Sequence, residues 1–175
     1  LNPPMWSLFW EYIANIFYAV ILFKLPKKVL WILVFIASIL LVYKAREHGY
    51  LGVGWGGKTF WAGGTRVFYS FIAGILIYRS KLMVKSSLGF FSLAILLLLA
   101  FLVPFSNKYS WIMDSIIVIF YFPMLVGLGA GAFLSTTYSK LCKFSGDISY
   151  PLYVIHYPFL WIFLIYIELK KPAMT

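Results

Sequence analysis

The sequence predicts an all-α fold, a polytopic transmembrane helix bundle of about six spans, each near or below the roughly 20 apolar residues that cross about 30 Å of hydrocarbon. Three observations point there. Of the 175 residues, 63% are hydrophobic, 21% aromatic and only 11% charged, against an apolar share of roughly 45–50% in a soluble domain. Apolar runs recur at residues 6–23, 29–43, 67–78, 88–105, 111–134 and 148–169. The net charge of +10 falls mostly between these runs, with Lys24, Lys27, Lys28, Arg79, Lys81, Lys85, Lys140 and Lys143 in the connections 24–28, 79–85 and 140–143. The positive-inside rule sets those three connections in the cytoplasm, so both ends of the chain are expected outside, and it accounts for the basic charge without nucleic acid. Lys44, Arg46, Lys58, Arg66, Lys108, Lys170 and Lys171 spread over longer stretches on the other side, which makes the bias moderate.

In the first span, Ser7, Glu11, Asn15 and Tyr18 are spaced four, four and three apart. They form one polar stripe on an apolar helix, expected to face protein rather than lipid. Glu11 lies about 7.5 Å of helix rise past Trp6, where an ionised carboxylate costs up to about 2.5–3.5 kcal/mol. It requires a cationic or hydrogen-bonding partner, and Arg66 is the best one in this chain. A structural ion pair and a part in a reaction or transport path are both open.

The second and third runs are short, so they are expected to tilt, extend into their flanks or re-enter. Trp6, Trp31, Trp61 and Trp111 sit near span ends, as in an interfacial belt. The outer segment 46–64 is rich in glycine and contains a G-x-G-x-x-G match at Gly52, Gly54 and Gly57. It lacks the preceding strand that a dinucleotide site needs, so a loop with interfacial aromatics is expected. Arg66 opens the third span, as a snorkelling side chain or an anion site. Ser70 and Gly74 give that span a small face for close helix approach, as do Gly127, Gly129 and Gly131 in the fifth, where Pro123 is expected to kink the helix.

In the last span, Asp147 is expected to cap the helix, with Pro151 in its first turn. Ser149, Tyr153 and His156 then share one face. His156 stands about 13 Å past Asp147, near mid-membrane, and Pro158 withholds a donor from the Val154 carbonyl. A lone intramembrane histidine serves as a general base, a proton relay or a donor to another helix. The single Cys142 excludes an internal disulfide and is expected to be inert. Two histidines without a cysteine cluster make no recognisable metal site, and no Gly-x-Ser-x-Gly elbow occurs. The chain starts at Leu1 and passes from Asn2-Pro3-Pro4 straight into a span, with no basic segment of the kind that opens a signal peptide, so a piece of a longer protein is expected.

Three stretches in this order resemble the membrane acyltransferase-3 family: Trp6-Ser7-Leu8-x-x-Glu11, then Arg66 with Phe71 and Gly74, then Gly146-x-Ile148-Ser149-Tyr150-x-Leu152-Tyr153-x-Ile155-His156. The resemblance implies a partial transmembrane acyltransferase domain over 1–175, without the early spans and the last one. It implies an O-acyltransferase of the bacterial inner membrane that moves an acyl group, acetyl as the first expectation, from cytoplasmic acyl-CoA to a hydroxyl of an extracytoplasmic carbohydrate. No bound cofactor is implied; acetyl-CoA is a donor substrate. Glu11 is implied as a polar anchor near the acceptor and Arg66 as its helper. Ser149, Tyr150, Tyr153 and His156 are implied to line the passage from the cytoplasm, with Glu11 and His156 as the catalytic candidates. The family's usual catalytic histidine and its arginine motif belong to earlier helices, so this chain alone is expected to be inactive. A transporter or flippase subunit, or an inactive remnant, are the other classes, although the runs show no internal repeat.

Overall fold

The computed structural model describes residues 5–132 and 136–170. The predicted opening at Asn2-Pro3-Pro4, the last two residues of the fifth run and Lys171 lie outside the described residues. Among those described, the regular structure is helical, with one isolated bridge between Ser86 and Ala132. The helices are α1 Met5–Val20, α2 Lys27–His48, α3 Phe60–Ser80, α4 Phe90–Phe101, α5 Ser110–Ile116, α6 Phe122–Ala130 and α7 Thr136–Lys170. They divide into two units, Trp6–Leu134 and, with Leu1–Met5, Ser135–Thr175.

Among the described residues, four stretches are long and apolar enough to cross a membrane: Lys27–His48, Gly57–Ser80, Ser110–Ala130 and Tyr138–Lys170. The protein is an integral membrane protein. The second and third runs prove long, at 22 and 21 residues, about 33 and 31 Å. Their helices continue through polar flanks: α2 takes in Lys44, Arg46 and Glu47, with Lys44 paired to Glu47 at 2.6 Å, and it ends only where Gly49 turns left-handed at φ 79°. The short elements are instead α1, with 16 residues, and α4, with 12. Pro104 ends α4, because a residue before proline disfavours the helical conformation.

The core of the first unit is the seam between α2 and α3. Leu41, Ala45, Leu51, Tyr69 and Ala73 form one buried cluster and Leu22, Leu30, Ile72 and Leu76 another. Trp31, Ile32, Phe35, Ile36 and Ile39 point away from that seam and are exposed, the composition of a face that meets lipid. At the far end of α3, the Arg79 guanidinium donates to the carbonyls of Leu25 at 2.7 Å and Leu22 at 3.5 Å. It thereby ties the α1–α2 connection to α3. Lys81 closes α3 with a left-handed φ of 53°, and the Leu82 amide reaches back to the Ile77 carbonyl at 3.0 Å.

Pro123 acts differently from a simple kink. The residues before it, Ile117–Tyr121, form a π-turn that joins α5 to α6. Proline has no N–H to offer the carbonyl four residues back, that of Ile119, and the buried Tyr69 hydroxyl donates to that oxygen at 2.9 Å. The glycines of α6 also have a different neighbour from the helix expected. A Cβ on Gly127 would lie 2.8 Å from the Leu82 carbonyl oxygen and one on Gly131 2.0 Å from that of Val84. They admit the extended segment after α3, whose Val84 and Ser86 amides donate to the Gly127 and Gly131 carbonyls.

The second unit contains α7, 35 residues with Pro151 and Pro158 inside it. The expected loop at 140–143 is helical, so Asp147 does not cap a helix start. Nothing between Tyr138 and Ser145 breaks the helical pattern, and the missing Pro151 donor costs one bond rather than the helix.

Candidate functional site

The site builds up from the packing of α1 on α3. Two tryptophans on α1 lie over two glycines on α3: a Cβ on Gly63 would meet the Trp6 ring at 2.6 Å, and one on Gly64 the Trp10 ring at 2.9 Å. The Trp10 indole N–H donates to the Phe60 carbonyl at 3.1 Å, and its ring meets those of Phe60, Trp61 and Phe68. This aromatic contact decides how α1 is rotated. Trp10 and Ala14 are buried, while Glu11, Asn15 and Tyr18 are exposed, about a quarter turn away at 3.6 residues per turn. The polar stripe is expected to face protein rather than lipid; Ser7 is half-buried, but Glu11 and Asn15 are turned away from the α1–α3 contact, because burying large indoles gains more than burying a carboxylate and an amide. Asn15 donates to the backbone carbonyl of Glu11 at 2.9 Å.

Arg66 has other partners than Glu11. Its Nη1 donates to the Val53 carbonyl at 2.8 Å and its guanidinium lies 5.8 Å from the centre of the Trp6 ring, within the range of a cation–π contact. Asp114 on α5 acts on it as an attractive charge, and the Asp114 Oδ2 accepts the Leu51 amide at 2.9 Å. Leu51, Val53 and Gly54 are buried, so two oppositely charged side chains from two helices hold one stretch of the α2–α3 loop. The Thr59 hydroxyl accepts from the Gly54 amide at 3.2 Å and donates to the Gly56 carbonyl at 3.3 Å. Gly54 itself has φ 120° and packs against Gly63, where a Cβ would fall 2.6 Å from the Gly63 Cα. The G-x-G-x-x-G match is thus a packed loop, with Gly54 chosen by conformation and contact.

Beside this loop, Trp10, Ala37, Leu40, Trp61, Gly64 and Phe68 line an apolar cleft of about 260 Å³. Ser70 and Gly74 line a smaller cavity of about 100 Å³ against Val118, Phe122 and Pro123, and nothing lies within 4 Å of a Cβ built on Gly74. Among the described residues, no close helix contact is made at Gly74.

On α7, the Ser149 hydroxyl donates to the Gly146 carbonyl at 2.8 Å. His156 Nδ1 lies 2.7 Å from the Tyr153 carbonyl and 3.2 Å from that of Leu152. A carbonyl only accepts, so Nδ1 carries the proton, and in the neutral ring Nε2 keeps its lone pair. The Tyr153 ring lies 5.9 Å from the imidazole. Ser149, Tyr150, Tyr153 and His156 are all exposed.

The structure thus gathers Arg66, Asp114 and the two tryptophans around one loop. Asp114 escapes notice in the sequence, although it is one of only five acidic residues and falls inside the fifth apolar run. The reasoning that marks Glu11, that an ionisable group within a span needs a partner, marks Asp114 equally.

A comparison with known families finds the acyltransferase domain of the acyltransferase-3 family over residues 1–171. The chain belongs to the acyltransferase-3 family. No curated protein and no solved structure matches. Within the acyltransferase-3 domain, Arg66 and Glu11 lie in the first unit, and Ser149, Tyr150, Tyr153 and His156 in the second.

Proposed function

We propose that this acyltransferase-3 domain is the later part of an O-acyltransferase. The enzyme moves an acetyl group from cytoplasmic acetyl-CoA to a hydroxyl of an extracytoplasmic sugar, in a bacterial inner membrane with both ends of this stretch outside. The observation that carries the reading is the acyltransferase match across residues 1–171. The transfer joins the acceptor oxygen to the acyl carbon and breaks the thioester, with the thiolate leaving as the electron pair returns to sulfur. A histidine base accelerates such a step by roughly 100- to 10,000-fold when it withdraws the hydroxyl proton, and donors stabilise the developing oxyanion.

In this reading the base proper comes from the family's earlier helices. His156, with Nε2 open, relays the proton, and Ser149, Tyr150 and Tyr153 line the donor's path. Glu11 anchors the acceptor. Arg66 has five N–H donors, of which the Val53 carbonyl takes one, and it supplies others to the oxyanion or acceptor.

The test is to express the complete reading frame and follow labelled acetyl-CoA into surface polysaccharide. Label is expected in the polysaccharide, and Glu11→Gln and His156→Ala are expected to lower it strongly. Full activity in both variants removes these residues from the mechanism. Absent incorporation with intact solute flux identifies a transporter instead.

A further inference from the structure

We propose that Asp114 is a positioning residue for Arg66, acting through the backbone of residues 51–53. The inference rests on the reading of Arg66 as a substrate-facing group, and it adds a residue that neither the family resemblance nor the polar stripes single out.

The chain of contacts is short. Asp114 Oδ2 accepts the amide of Leu51 at 2.9 Å, and two residues on, the Val53 carbonyl accepts Nη1 of Arg66 at 2.8 Å. Leu51 is 4% exposed and Val53 5%, so water does not replace either bond at low cost. Between them stands Gly52, which contributes no side chain to hold the segment. Without Asp114 the stretch loses its side-chain hydrogen bond to α5, and the carbonyl that orients the guanidinium becomes free to shift. Trp6, its ring centre 5.8 Å from the guanidinium, offers a cation–π contact but no hydrogen bond that would fix the guanidinium along the loop. A donor set aimed at a developing oxyanion loses effect when its position varies by about 1 Å.

The shape of the substitution series separates positioning from charge. Asparagine keeps an acceptor oxygen for the Leu51 amide, whereas alanine does not. In the complete enzyme, Asp114→Ala is expected to lower kcat for sugar acetylation about tenfold or more with the KM for acetyl-CoA unchanged. Asp114→Asn is expected to stay within about threefold. In parallel, hydrogen exchange at the Leu51 amide is expected to accelerate in Asp114→Ala and to remain slow in Asp114→Asn. Equal losses in both variants, or unchanged Leu51 exchange in Asp114→Ala, overturn the proposal. Normal transfer by Arg66→Ala instead refutes the role given to Arg66, and the exchange measurement, which needs no activity, tells the two failures apart.

Discussion

Removing the Tyr69 hydroxyl tests how the broken helix is repaired. Tyr69 is 2% exposed, and its O–H donates at 2.9 Å to the Ile119 carbonyl, the group that Pro123 leaves without its usual amide. In Tyr69→Phe that carbonyl has no such donor. A buried acceptor stranded in this way costs about 1–3 kcal/mol, whereas hydrogen bonds between helices in a bilayer average about 0.6 kcal/mol and reach about 1.7. The expected cost is therefore about 1–1.5 kcal/mol, roughly a tenfold shift in the unfolding equilibrium. The assay is equilibrium unfolding in mixed micelles, repeated in a Pro123→Ala background. Alanine restores a backbone N–H near Ile119, so the hydroxyl becomes redundant and Tyr69→Phe is expected to cost about 0.3 kcal/mol or less there. An undiminished loss in the alanine background refutes the account, because the hydroxyl would then be acting on something other than the orphaned carbonyl.

Other consequences can be checked on the same footing. Gly63→Ala and Gly64→Ala push a methyl into the Trp6 and Trp10 rings and are expected to lower stability by about 1–3 kcal/mol. Gly74→Ala, with open space around it, should be neutral or gain up to about 1 kcal/mol by helix propensity. Arg79→Ala releases the Leu22 and Leu25 carbonyls and is expected to cost about 1–3 kcal/mol, with faster hydrogen exchange in the α1–α2 connection as its local sign. Lys81→Gly relieves a left-handed φ and is expected to raise stability by about 1 kcal/mol, read as a higher unfolding midpoint in micelles.

Fold class and helix positions were legible because bilayer thickness demands long apolar runs, and those runs are in the sequence. Their ends were less so. The second apolar run stops at residue 43, yet Lys44 and Glu47 beyond it pair at 2.6 Å within the last turns of α2. Pro151 follows Asp147 by the spacing of a helix start, and a continuous helix uses the same residues at the cost of one donor. Periodicity found the α1 stripe but not its direction, since the rotation is set by Gly63 and Gly64, about fifty residues away in the chain. The link from Arg66 to Asp114 was illegible for a related reason: it runs through main-chain atoms of Leu51 and Val53, and backbone groups carry no sequence signal. Where the partners were local side chains, as for the Tyr153 ring beside His156, the helical spacing already contained them.

Thirty-five residues in one helix give α7 a length of about 52 Å, some 20 Å more than the hydrocarbon layer is thick. Such a rod converts small rotations into large excursions. From Pro151 to the start of the helix is about 22 Å, so a change of about 20° at that proline, an ordinary kink, swings the far tip through about 8 Å. A bend at Pro151 would therefore carry the Lys140 and Lys143 end roughly twice as far as His156, which stands about 7.5 Å beyond that proline.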